Sequence, residues 1–160
     1  MTAWHGIVTK ELLQERFTYK DGFLLKGHSK VGIYKDKDGY GKLTIKVAGK
    51  NYYLRTHRAI FLYHHGTLPD IIDHINGDVS DNRIENLRAA TKSQNQWNRK
   101  NNIKSKTGRR GVVLKNNKYY AVCKVNGKRY HLGSFTTLEE AEKEVTAFRK
   151  ENHKEFANND

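Results

Sequence analysis

Asp73 and His74 are adjacent, close an apolar run begun by Ile71-Ile72, and stand 22 residues before Asn95. A carboxylate, an imidazole and a carboxamide that converge on one point are suited to phosphodiester hydrolysis. That reaction needs a base to activate water, a hard cation to stabilise charge at phosphorus and at the leaving oxygen, and a frame that fixes the geometry. His74 is the right type for the base near neutral pH. Asp73 and Asn95 offer oxygen ligands of the kind that Mg²⁺ or Mn²⁺ prefers. Asn86 precedes a second apolar run, where its amide is expected to tie down the intervening loop and so orient His74. An Asp-His pair alone is more often a surface accident, so the weight rests on the elements around it.

The pattern predicts that these elements are strand, loop, strand, helix. Ile71-Ile72 reads as a short buried strand and Asn76-Gly77-Asp78 as a turn. Residues 86–90 return as a second strand, and Thr91-Lys92-Ser93-Gln94 is a capping box that opens a helix to about Arg99. Upstream, 9–16 reads as a helix capped by Thr9. Asp21-Gly22 and Ala48-Gly49 mark two hairpins. His57 to His65 reads as an apolar helix stopped by Gly66 and Pro69.

On these residues the chain resembles the HNH endonucleases found as phage- and intron-encoded homing enzymes. The likeness runs through Ile72-Asp73-His74-Ile75-Asn76-Gly77-Asp78, Asp81-Asn82-Arg83, Glu85-Asn86-Leu87-Arg88, Ala90-Thr91 and Asn95, with His57-Arg58 upstream. The resemblance implies that His74 is the general base, that Asp73 and Asn95 bind the metal, and that Asn86 is structural. His57 is expected either to order its helix start or to lie near Asp73 against a phosphate. The pair His64-His65 reads as solvated.

The C-terminal part reads as three strands and a helix. Strands 111–115, 119–125 and 128–135 are joined in part by Asn126-Gly127, a strong hairpin marker. Thr137 to Glu140 is a second capping box, and Leu138, Ala141, Val145 and Phe148 form one helical stripe. Alternation puts Tyr119, Ala121, Cys123 and Val125 on the face toward the helix, with Tyr130 and Leu132 beside them. Lys124, Arg129 and His131 fall on the other face, which Lys115 and Arg110 extend. Such a ribbon fits the DNA major groove. This part resembles AP2 domains in Arg110-Gly111-Val112, in Gly127 to Phe135 and in Glu139-Glu140-Ala141. Val113 and Val122 depart from the plant form, which commonly has charged DNA-contacting residues there. Arg58 and Arg99 complete the expected DNA-contact set.

Charge agrees with a polyanionic partner. The 160 residues carry a net charge of +13, and no Asp or Glu occurs between Asn86 and Leu138. The hydrophobic fraction of 36% is low for one filled core, which favours small modules. The expected fold class is α+β, a ββα-metal HNH nuclease module followed by an AP2-like sheet with one helix. The expected division is 1–50, a basic helix and hairpin region; 51–100, the nuclease module; 101–108, a linker; and 109–155, the DNA-binding domain. Cys123 is the single cysteine, which excludes an internal disulfide and a four-cysteine zinc cluster and suits a reducing cytoplasm, a host's if the chain is phage-encoded. The N-terminus lacks a signal-peptide pattern and no apolar run has membrane-spanning length. Double-stranded DNA is the expected partner, with no membrane and no evident protein partner. The rival readings are a non-catalytic DNA-binding regulator on a decayed HNH scaffold and an RNA-binding structural protein.

Overall fold

A computed structural model describes residues 6–98, 106–153 and 156. The chain is mixed α+β, with small antiparallel sheets, and divides into two compact units, Met1–Ala90 and Thr91–Asp160. Among the described residues no helix is long and apolar enough to cross a membrane.

The first unit opens with α1 (Lys10–Arg16), whose Thr9 cap accepts the Leu12 amide at 3.3 Å. Strands β1 (Thr18–Lys20), β2 (Phe23–Lys26) and β3 (Ser29–Val31) form a meander, and β4 (Lys42–Val47) pairs with β5 (Lys50–Arg55). The third meander strand, Ser29–Val31, was not foreseen; it carries little alternation, being exposed at two of its three positions. Helix α2 (Thr56–His65) ends on Gly66 in the left-handed conformation. Next come β6 (Ile71–His74), a 3-10 turn (Ile84–Asn86) and β7 (Leu87–Ala90), with Asp73 paired to Arg88 and His74 to Leu87.

One core serves this unit. Leu13, Leu24, Leu43, Ile45, Leu54, Ala59, Ile60, Ile72 and Leu87 are all buried in it. The start of α2 is fixed with particular tightness. The Thr56 amide donates to the Gly41 carbonyl at 2.8 Å and its hydroxyl to the Gly32 carbonyl at 2.6 Å. A Cβ at Gly41 would collide with that carbonyl and with Thr56 Oγ1. His57 follows directly, so its backbone position is set by this knot.

The second unit contains α3 (Lys92–Asn98), β8 (Val112–Lys115), β9 (Lys118–Val125), β10 (Lys128–Phe135) and α4 (Leu138–His153). Both expected capping boxes form, Thr91 with Gln94 and Thr137 with Glu140. Asn126 and Gly127 both have positive φ, 48° and 83°, as the tight β9–β10 hairpin requires. Val112, Ala121, Ala141 and Val145 make a thin core between sheet and helix.

Candidate functional site

The first unit brings three of the four residues expected to form the catalytic site into one neighbourhood. Asp73 and His74 end β6 and are 4% exposed each; Asn86 ends the 3-10 turn and is also buried. The Asn86 amide ties the 75–86 loop as foreseen. Its Oδ1 accepts the Asn76 backbone N–H at 3.0 Å, while Nδ2 donates to Asn76 Oδ1 at 3.0 Å and to the Asp81 carbonyl at 2.8 Å. Arg83 closes the loop outside, its hydrogen bond holding the Asp81 carboxyl down at about 2. The loop leans on the N-terminal meander: the Tyr19 hydroxyl accepts the Ile84 amide at 3.0 Å, and a Cβ at Gly22 would meet the Arg83 nitrogen at 2.9 Å.

His74 Nε2 faces Asn82 Oδ1 at 3.1 Å. With Asn82 Oδ1 as the acceptor the bond requires the proton on Nε2, the tautomer whose lone pair is on Nδ1. Asn82 in this orientation favours that tautomer. On its other side the His74 ring meets His57 edge-on at 5.2 Å between centroids, and Tyr40 lies 5.0 Å from His57 and 6.0 Å from His74. Arg55 covers Tyr40 at 4.1 Å and is itself held by Asp36 at 2.9 Å.

His57 is 5% exposed, and among the described residues its Nδ1 has no hydrogen-bond partner. Burial, helped by the neighbouring His74 and by Arg58 and Arg55, pushes its pKa down to about 3. His57 is thus a neutral imidazole at physiological pH and adds no charge beside His74. Since the folded value lies below that of the unfolded chain, the stability tied to this neutrality is complete above about pH 6.5. It drains away as pH falls toward 3, because the unfolded chain then binds the extra proton. Between pH 7 and pH 4.5 urea unfolding is expected to lose about 2–3 kcal/mol from this residue. His57→Gln should flatten that acid slope; an unchanged slope would place the acid sensitivity elsewhere.

The Asp73 carboxylate is engaged across the strand pair. Arg88 Nε and Nη2 both reach Asp73 Oδ2, at 2.9 and 2.8 Å. Among the described residues no group of three or more His, Cys, Asp or Glu is placed to hold a metal ion. The donor chemistry here is one buried carboxylate with carboxamide oxygens. That fits a hard cation that keeps several waters and takes further oxygens from substrate phosphate; a closed zinc cage would need more donors. Asn95, the other expected ligand, is half-buried on α3 and belongs to the second unit.

The expected DNA contacts fall into different settings. Lys115, Lys124, Arg129 and His131 are exposed. The pairs Lys124–Arg129 and Val122–His131 sit opposite one another across β9 and β10, and a hollow of about 510 Å³ opens between Val113, Lys115, Tyr120, Val122, Arg129 and His131. Arg110 instead turns to the end of α3, donating to the Trp97 and Gln96 carbonyls at 3.0 and 3.1 Å. Arg58 donates to the Asp70 and Pro69 carbonyls at 3.2 and 3.3 Å, bracing the segment that leads into β6. Arg99 lies outside the described residues.

Sequence reasoning assigned no role to Asn82, Arg88 or Tyr40. The first two carried a usable signal, since a short antiparallel pair around a tied loop places residue 88 opposite 73. Tyr40 had none, because it arrives through a loop far away in sequence. Searches of curated proteins and of solved structures gave no match. Residues 54–97, which include Asp73, His74, Asn86 and Asn95, match the family model described as HNH endonuclease, and this match supports an HNH nuclease.

Proposed function

We propose that the chain is a metal-dependent endonuclease of the homing HNH type that hydrolyses phosphodiester bonds in double-stranded DNA. In this reading residues of the HNH match form a ββα-metal module, and the sheet and helix of the second unit form an AP2-like targeting module. The observation that carries the reading is the Asp73-His74 pair at the end of β6, with His74 Nε2 3.1 Å from Asn82 Oδ1. His74 Nδ1 takes a proton from the attacking water. The water oxygen bonds to phosphorus, and the bond to the 3′ oxygen breaks; that oxygen takes a proton from solvent water, leaving a 5′ phosphate and a 3′ hydroxyl. Asp73 and Asn95 would hold Mg²⁺ or Mn²⁺. When bound, the cation supplies charge stabilisation at the phosphate and the leaving oxygen. Asn86 keeps the loop, and so Asn82, in place. His57 and Tyr40 wall His74 from the side.

Supercoiled plasmid with Mg²⁺, with and without EDTA, tests the activity. Nicked or linear product that EDTA abolishes is expected. Binding with no cleavage under any divalent cation would point to a non-catalytic DNA-binding regulator.

The targeting role has its own expected outcome. Changing Lys115, Lys124 and Arg129 together to alanine should make the log-log salt dependence of duplex binding shallower by about 3 units, at about 0.9 per neutralised phosphate. Filter binding from low to moderate salt measures it. An unchanged slope would remove this sheet face from the DNA interface.

A further inference from the structure

A second basic feature of the Thr91–Asp160 unit shares Lys124 and Arg129 with the outward sheet face and reaches inward from it. A cavity of about 450 Å³ lies near the Asn126-Gly127 turn, and its lining includes Trp97, Arg110, Lys124, Arg129, Arg149 and His153, with no Asp or Glu among the described residues. Arg149 and His153 are 5% and 4% exposed. Trp97 stacks flat on the His153 ring, 4.2 Å away and 5° from parallel. The Arg149 guanidinium lies so close to Gly111 that a Cβ there would meet its Nη2 at 3.1 Å; Gly111 has φ +78°, so glycine serves both the turn and the cavity.

A buried guanidinium normally lies against a carboxylate. Among the described residues Arg149 forms no ion pair with one; the side chains acting on it are those of Arg110 and Cys123. Burial, with Arg110 adding to it, pushes the Arg149 pKa down. The Lys124 backbone lies beside His153, yet among the described residues His153 Nδ1 makes no hydrogen bond of ordinary geometry. The C-terminal carbonyls of α4 offset about half a unit of charge. Arg149, Lys124 and Arg129 exceed that several-fold. Clustered cations with an unused polar nitrogen call for a bound anion.

We propose that this cavity is a phosphate-binding site, filled by a backbone phosphodiester of the DNA that the unit engages. The DNA part rests on the function proposed above; the phosphate part does not. The cavity has more room than a single phosphate fills, which suits a phosphate flanked by its sugars. As a backbone contact it adds affinity and register without reading sequence.

The full chain carrying Trp4→Phe leaves Trp97 as the single tryptophan. Inorganic phosphate titrated at constant ionic strength against chloride should change Trp97 emission saturably and raise Tm. Arg149→Met should abolish both responses. It should also weaken duplex binding about ten-fold at low salt and reduce the salt slope by about 1 unit, with discrimination between duplex sequences unchanged. Should Arg149→Met not fold, Lys124→Ala, at an exposed lining position, should reduce both responses. No phosphate response in the Trp4→Phe protein would overturn the site. A phosphate response with an unaltered duplex salt slope in the variant would overturn its assignment to the DNA backbone. A phosphate response in a chain that binds no duplex would overturn that assignment together with the DNA reading and leave a free-anion site.

Discussion

Replacing His74 by alanine is expected to slow DNA cleavage by about 10²–10⁴-fold, the usual worth of a positioned general base. Duplex affinity should stay close to that of the wild type, since the imidazole is buried at the end of β6 while the exposed cations of the second unit lie elsewhere in the sequence. Single-turnover cleavage and filter binding, measured on the same preparation, separate the two quantities. Asn82→Ala is expected to fall between wild type and His74→Ala, because it removes the side chain that meets His74 Nε2 at 3.1 Å and leaves the ring in place. Cleavage at the wild-type rate in His74→Ala would eliminate His74 as the base.

The second large effect concerns stability. Arg88 and Asp73 are an ion pair whose side chains are 15% and 5% exposed. Arg88→Met should cost about 3–5 kcal/mol, because it removes the guanidinium from a buried carboxylate. The double change Arg88→Met with Asp73→Asn should cost clearly less, since no charge is then left uncompensated. Mg²⁺ should raise the Tm of Arg88→Met by more than that of wild type, because a cation then provides the countercharge that the guanidinium gave. Urea unfolding of the three proteins, with and without Mg²⁺, measures these terms. A double variant as unstable as Arg88→Met would show that the pair is not the source of the loss.

These two experiments fall on opposite sides of what the sequence disclosed. His74, Asp73 and Asn86 were legible because strand ends, a tied loop and a family-like run of residues all occur within a few turns of chain. The hairpins were legible through Asp21-Gly22, Ala48-Gly49 and Asn126-Gly127, each pair at positive φ. Arg88 as the partner of Asp73 followed only from strand register, which the sequence suggested but did not number. Tyr40 and the Thr56 knot were illegible, since they depend on a loop over residues 32–41 with no periodicity. Arg110 illustrates a different limit. Its place next to a β-strand suggested a groove-facing cation, but unsatisfied carbonyls at the end of α3 compete for the same guanidinium and hold it.

The bond from Ile84 to Tyr19 and the close approach of Gly22 to Arg83 bear on how such a nuclease could be shuffled among genes. The family-matched segment begins at residue 54, yet the loop that frames its histidine is shored up by residues about 35 positions earlier. The structurally braced segment is therefore longer than the matched one. A recombination event that moved residues 54–97 alone would carry the reactive side chains without the meander that braces them, whereas one that began before α1 would carry the whole brace. Two chains with the same signature need not be interchangeable unless their preceding segments present a hydroxyl and a bare backbone at the corresponding places.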